Sequence, residues 1–160
     1  MIPDPIDDPT VWLGSDFPEP RAWVIELDDV IQDEIVAVTK DIRSARSEDL
    51  FNADFPLPAC GSIIKQVRDE LETGRGFSVL SGFPVEHLSV EEARRAYAGF
   101  CSQLGRPIIQ TGAAERMVDV RDIGREYSER SRGYSGTALL PFHTDGTKGE
   151  PEILHYTGLL

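Results

Sequence analysis

The order of the periodic segments along this 160-residue chain limits its fold more than any single motif does. The segments in which apolar residues recur every three or four positions all lie before residue 105. Short segments of β-type composition become frequent only after that point. A block of helices followed by a block of strands is typical of an α+β domain, in which helices cover one face of an antiparallel sheet. The sequence therefore predicts the α+β class.

Three helices are predicted, and each has a recognisable start or stop in the sequence. Short polar residues favour helix N-caps because their side-chain oxygens accept hydrogen bonds from the first free backbone amides. Glycine favours the position just after a helix. The predicted helices are about 15 residues after Asp28 or Asp29, residues 60–73 before Gly74, and the segment between Ser89, with Glu92 as its capping-box partner, and Gly105.

Two glycines, Gly76 and Gly82, bound the clearest core strand, which is predicted at residues 77–80. These glycines are expected to serve backbone geometry rather than ligand binding. A shorter strand is predicted at residues 23–27. Further segments of β-type composition are residues 107–110, 117–120, 137–141 and 153–160.

Prolines recur through residues 1–20, so this region is predicted to form an extended arm over the body of the protein. Trp12 and Trp23 are expected to pin the arm by burying their rings. The arm, the first strand and the first helix together make a predicted amino-terminal region, residues 1–55.

The composition is that of a soluble globular chain with an acidic surface. Apolar residues make up 40% and charged residues 28% of the chain, and the net charge is −12. Nucleic acids and anionic membranes both favour a positive surface, so neither is an expected partner. The amino terminus lacks the basic and apolar regions of a signal peptide. Two isolated cysteines, Cys60 and Cys101, fit a reducing cytoplasm and lack the spacing of a structural zinc site.

The segment Leu140-Pro141-Phe142-His143-Thr144-Asp145-Gly146 carries the clearest chemical signal. Residues two apart on a β-strand point to the same face, so His143 and Asp145 converge if this segment is a strand or a strand end. An imidazole nitrogen and a carboxylate oxygen are two of the three ligands in the 2-His-1-carboxylate sites that bind non-haem Fe(II). The spacing is also met by a strand-end histidine hydrogen-bonded to a nearby aspartate, so the motif depends on its context.

Further motifs precede this segment in order. They are Arg75-Gly76-Phe77-Ser78-Val79-Leu80-Ser81-Gly82-Phe83-Pro84-Val85, Ser89-Val90-Glu91-Glu92-Ala93, Leu104-Gly105-Arg106-Pro107 and Arg132-Gly133-Tyr134. In this order and spacing, the segments resemble the TauD/TfdA family of Fe(II)- and 2-oxoglutarate-dependent oxygenases. The resemblance runs from Gly74 to Leu160, with a looser match in the arm.

The resemblance implies a double-stranded β-helix, or jelly roll, with flanking helices. Residues 56–160 are then expected to form the first half of the oxygenase domain, because only the early strands are present. The chain stops at Leu159-Leu160 inside an apolar run where a core strand is expected, so a truncated domain is expected. We expect its open face to be covered by a missing carboxyl-terminal half or by a second copy in a homo-oligomer.

By the same resemblance, His143 and Asp145 bind Fe(II), while 2-oxoglutarate and dioxygen take the remaining metal positions. The implied reaction hydroxylates a small-molecule substrate and converts 2-oxoglutarate to succinate. The family's distal histidine, and the arginine that pairs with the far carboxylate of 2-oxoglutarate, have no matching position in this chain. The alternative is therefore a catalytically incomplete or non-catalytic oxygenase fragment, or a binding protein.

Four further residues are weaker candidates for the site. Arg132 and Tyr134 either face the substrate or cosubstrate, or serve as a solvated charge and a packed ring. Gln110 ends a predicted strand near the expected mouth of the barrel and is a candidate substrate contact. His155 alternates with apolar neighbours, and it is either a metal ligand or substrate contact, or a histidine on the rim of the barrel.

Overall fold

The computed structural model of the chain describes residues 6–42, 50, 55–110, 115–121, 124 and 154–160. The chain divides into two compact units, residues 1–105 and residues 106–160. The helices and strands of the described residues all belong to the first unit. The predicted division into residues 1–55 and 56–160 stays a prediction.

Three α-helices form where the sequence predicts them: α1 is Asp29–Asp41, α2 is Gly61–Glu72 and α3 is Val90–Ser102. The Asp28 carboxylate caps α1 by accepting a hydrogen bond from Ile31 N at 3.0 Å. Ser89 and Glu92 form the predicted capping box of α3, in which the Glu92 carboxylate accepts from Ser89 N at 2.8 Å. Within the part of the chain that the structure describes, every helix is too short or too polar to span a membrane.

Two short strands form a parallel pair, in which β1 is Val24–Glu26 and β2 is Val79–Ser81. In this register, Val24 lies beside Val79. The antiparallel pairing predicted for the sheet is therefore wrong for these two strands. α1 and α2 lie between the strands in the chain, and a helical crossover of this kind returns the second strand in the same direction as the first.

The described residues form a mixed α/β arrangement of three helices and this two-stranded sheet, and no jelly roll is seen among them. The β-type segments predicted at residues 107–110 and 117–120, and the described part of residues 153–160, form no strand. A strand needs a neighbouring strand to pair its backbone hydrogen bonds, and β-type composition does not supply that neighbour. The segment predicted at residues 137–141 lies outside the described residues.

The buried core includes α1, α3 and the segment that precedes α2. Its largest fully buried side chains include Phe55, Leu27, Ile35 and Leu50. Burying one such side chain contributes about 1.5–3 kcal/mol to the stability of a fold. Gly99 on α3 makes room for Phe55, because a Cβ atom at Gly99 would lie 2.4 Å from the Phe55 ring. This approach of the Phe55 ring to α3 therefore depends on glycine at residue 99.

The arm, residues 6–22, precedes β1 and is joined to the body by an aromatic cluster. The cluster consists of edge-to-face contacts among Trp12, Phe17, Trp23 and Phe77. Such contacts contribute beyond the apolar area that they bury. The cluster joins the arm to the body, but the predicted burial of the tryptophan rings is wrong for Trp12, which is 44% exposed, and Trp23 is only half-buried.

Candidate functional site

The structure describes two of the six candidate site residues. His143, Asp145, Arg132 and Tyr134 lie outside the described residues. Their predicted roles in binding iron and cosubstrate therefore stay predictions. The two candidates that are described, Gln110 and His155, belong to the second compact unit.

Gln110 is exposed, and both its backbone and its side chain donate hydrogen bonds to backbone oxygens a few residues further along the chain. Its backbone N donates to Glu115 O at 2.7 Å, and its side-chain Nε2 donates to Arg116 O at 2.9 Å. Both bonds join Gln110 to residues 115 and 116. The Gln110 amide group thus has a structural role, and its proposed substrate contact stays a prediction.

His155 is exposed, and its ring lies 6.4 Å from the Tyr156 ring between centroids, with the planes 60° apart. A metal site needs several donor side chains around one point. Among the residues that the structure describes, no group of three or more His, Cys, Asp or Glu side chains could hold a metal ion. His155 therefore belongs to no such group in the described ranges, and its role as ligand, substrate contact or rim residue stays a prediction.

The cysteine thiols of the helical unit are poor nucleophiles. Burial raises the pKa of the Cys60 thiol to about 12, with the adjacent Glu34 carboxylate as the next cause. Burial also raises the pKa of the Cys101 thiol and of the Tyr97 hydroxyl, which contacts Cys101. A raised pKa keeps a thiol or phenol protonated, and thiolate is the reactive form of cysteine. These groups are therefore neutral at pH 7.

Glu34 is a polar residue whose role the sequence analysis missed. One oxygen of its carboxylate accepts from Ala59 N at 2.9 Å and the other from Cys60 N at 3.0 Å. Cys60 is the N-cap of α2 and Ala59 precedes it, so both amides lie just ahead of the helix, where the helix dipole favours an anion. Glu34 lies 25 residues before Ala59, so no local pattern in the sequence signals this cap.

The end of β2 lies against the backbone that follows β1, and glycine makes this possible. Gly76 and Gly82 flank β2 with φ values of 78° and 80°, which confirms that they serve backbone geometry. A Cβ atom at Gly82 would lie 3.0 Å from Leu27 O and 3.1 Å from Gln32 Nε2. The Gln32 side chain itself donates to Leu27 O at 2.8 Å. Gln32, like Glu34, therefore makes a contact outside its own helix that helical periodicity does not predict.

Comparison with known proteins finds sequence similarity to a protein whose name describes an enzyme. No protein-family model matches the chain. The chain is 30% identical over 149 residues to the protein named FR-33289 synthase of Streptomyces rubellomurinus (strain ATCC 31215). The match covers 91% of this chain and 44% of that protein.

This similarity makes the chain a distant homologue of FR-33289 synthase. The chain spans less than half the length of this curated relative. The relative's name describes a synthase, so the homology indicates a related enzyme or a part of one. The activity of the whole relative is not thereby shown for this chain.

Proposed function

We propose that this chain is part of a non-haem Fe(II)- and 2-oxoglutarate-dependent dioxygenase that hydroxylates a small molecule. The observation that carries the proposal is the His143-Thr144-Asp145 motif, preceded by the ordered segments that resemble the TauD/TfdA family. Homology to a synthase over 91% of the chain supports an enzymatic role. We include in this proposal the jelly-roll fold, to which residues other than β1 and β2 would contribute strands.

The donor atoms of His143 and Asp145 suit Fe(II). Imidazole nitrogen and carboxylate oxygen are the donor set of the 2-His-1-carboxylate sites, and two such residues supply two of the three protein ligands. Bound Fe(II), with 2-oxoglutarate and dioxygen, supplies a reaction in which 2-oxoglutarate becomes succinate and carbon dioxide while one oxygen atom enters a substrate C–H bond. The third ligand is not identified in this chain.

The protonation of the chain's own residues sets the conditions for binding. His143 ligates only as the neutral imidazole and Asp145 only as the carboxylate, so metal affinity falls in acid as protons compete for both. A buried carboxylate of 2-oxoglutarate needs a cationic partner, because an unpaired buried charge is costly. Arg132, 11 residues before His143, is our candidate for that partner within this sequence.

The second candidate function is a non-catalytic oxygenase fragment or binding protein. The observation that favours it is coverage, because the chain matches only 44% of its relative. The two functions differ in turnover, and both allow metal to bind at His143 and Asp145. Succinate formation from 2-oxoglutarate, Fe(II) and dioxygen, lost on His143→Ala, supports the dioxygenase. Metal binding without succinate formation supports the fragment.

Our first prediction is that Fe(II) binding depends on His143 and Asp145. We expect His143→Ala and Asp145→Ala each to weaken anaerobic Fe(II) binding by at least about tenfold, since even the outer-shell partners of metal ligands change affinity by that much. Equilibrium dialysis of the 160-residue chain is the measurement.

The matched control for this prediction is His155→Ala, which removes an exposed imidazole from the same unit of the chain. We expect this variant to bind Fe(II) like the parent. Equal binding by the parent, His143→Ala and Asp145→Ala would contradict the proposed site. Loss of binding in His155→Ala alone would instead assign the metal to His155.

A further inference from the structure

The arm contacts the body chiefly through one aromatic ring. The Phe77 ring centroid lies 5.2 Å from that of Trp12, 5.4 Å from that of Phe17 and 6.0 Å from that of Trp23. All three contacts are edge-to-face, the arrangement that aromatic pairs prefer. Phe77 lies two residues before β2, so the docking surface of the arm is the entry to this strand.

Arg75 connects the arm to the body through both its side chain and its backbone. Its guanidinium carbon lies 5.6 Å from the Phe17 ring centroid, and Nη2 donates to Ala22 O at 3.4 Å. The backbone Arg75 O accepts a hydrogen bond from Trp12 Nε1 at 3.1 Å. On the other side, Nη1 lies 3.7 Å from Glu70 Oε2 on α2. One residue therefore joins three points of the arm to the end of a helix.

These attachments are individually weak and separate from the core. The side chains of Arg75 and Glu70 are 34% and 26% exposed, and ion pairs in such settings contribute little because water screens them. Phe17 is half-buried, and the other described residues of the arm are exposed. Segments with few buried apolar contacts and solvent-exposed hydrogen bonds open at lower free energy than the core.

We propose that the arm, residues 6–22, is a strap that opens as a unit while the three helices stay folded, with Arg75 as the latch that closes it. Opening breaks the contacts to residues 75–77 and uncovers the Phe77 ring. The strap turns about Trp23, the last residue before β1. The proposal does not depend on iron chemistry and rests on the described contacts alone.

The chain contains its own reporter for this opening. Its two tryptophans, Trp12 and Trp23, both belong to the aromatic cluster. Tryptophan fluorescence therefore reports on the docking of the arm, while far-ultraviolet circular dichroism reports on the helices. A urea titration followed by both signals tests whether the two events coincide.

We expect the fluorescence transition of the parent to precede the loss of helix. In Arg75→Ala, the fluorescence midpoint should fall further while the helix midpoint stays unchanged. Hydrogen exchange at the Trp12 indole Nε1, which donates to Arg75 O across the contact between the arm and the body, should accelerate by roughly tenfold, which corresponds to about 1.4 kcal/mol of lost interaction. Exchange in α1 and α3 should stay at the parental rate.

The matched control is Lys65→Ala, which removes a cation and its Asp69 ion pair from α2 without touching the arm. This variant should match the parent in both signals and in arm exchange. Coincident transitions in the parent and in Arg75→Ala would overturn the proposal, because the arm would then unfold only with the core. Unchanged arm exchange in Arg75→Ala would equally overturn the role of Arg75.

Discussion

The core around Phe55 and the arm before β1 are held by different kinds of contact. Phe55 is fully buried and fits against α3 so closely that only glycine is accommodated at residue 99. The arm is mostly exposed and attached by edge-to-face rings, one indole hydrogen bond and a partly exposed arginine. Close packing makes the core sensitive to single methyl groups, whereas the arm tolerates substitution at a small cost.

The largest effect is expected in the core, from Gly99→Ala. The new methyl group would lie 2.4 Å from the Phe55 ring, and overpacking of this kind costs about 1–3 kcal/mol. Because 2.4 Å is far inside van der Waals contact, the cost should lie near the upper end of that range, and the gain of about 1 kcal/mol from alanine in a helix interior then offsets only part of it. We expect a lower free energy of unfolding in urea titrations.

Gly61→Ala is the matched control for this substitution, because no atom lies within 4 Å of a Cβ at that helical position. It should leave the stability unchanged or raise it. Adding Phe55→Leu to Gly99→Ala should recover part of the loss, since the smaller side chain vacates the clash. A Gly99→Ala variant as stable as Gly61→Ala would show that the core, like the arm, accommodates an added methyl group at little cost in stability.

The next effect concerns the cap that joins α1 to α2. Glu34→Ala leaves Ala59 N and Cys60 N without their acceptor, and losing a cap costs about 0.5–2 kcal/mol. The measurement is the free energy of unfolding. Asp33→Ala, which removes an exposed carboxylate from the neighbouring position on α1, is the control and should have little effect. Equal losses in the two variants would mean that helix charge, rather than the cap, carries the effect.

A smaller effect is expected in the arm from Trp12→Phe. The ring contacts are retained, but the hydrogen bond to Arg75 O is lost, at a cost of about 0.5–1.5 kcal/mol to the docking of the arm. Acrylamide quenching of the remaining Trp23 fluorescence should increase, while the helix content stays unchanged. Leu13→Ala, an exposed neighbour in the arm, should leave the quenching unchanged. Loss of helix in Trp12→Phe would instead show that the arm and the helices unfold together.

The smallest effect is a pH dependence at the start of α3. Hydrogen bonds from Ser89, first from its backbone N and then from its hydroxyl, lower the pKa of Glu92 below 4.5. A lowered folded-state pKa stabilises the fold above the unfolded-state value, and this stabilisation is lost as the pH falls through the folded-state pKa. Glu92→Gln should therefore flatten the stability profile below pH 4.5.

Urea titrations of the parent and of Glu92→Gln across this acid range are the measurement. Glu91→Gln serves as the control because Glu91 is exposed on the same turn and lies outside the capping box. It should retain the parental profile. A parental acid slope in Glu92→Gln would show that other carboxylates govern the pH dependence.

The candidate metal site is predicted from the sequence alone. His143 and Asp145 were identified because two donor residues at strand spacing, in an ordered set of motifs, indicate a metal site. The structure describes only Gln110 and His155 among the candidates. It shows that the Gln110 side chain donates to Arg116 O, a partner that residue type alone does not specify.

The sequence by itself determined the three helices and the caps of α1 and α3, because helical periodicity, N-capping and glycine stops are set by residues within a few positions of one another. Only the tertiary structure decided the parallel pairing of β1 with β2, since that depends on the crossover through α1 and α2. It also decided that Glu34 on α1 caps α2. These outcomes depend on residues far apart in the chain, and local propensity contains no information about which distant surfaces will meet.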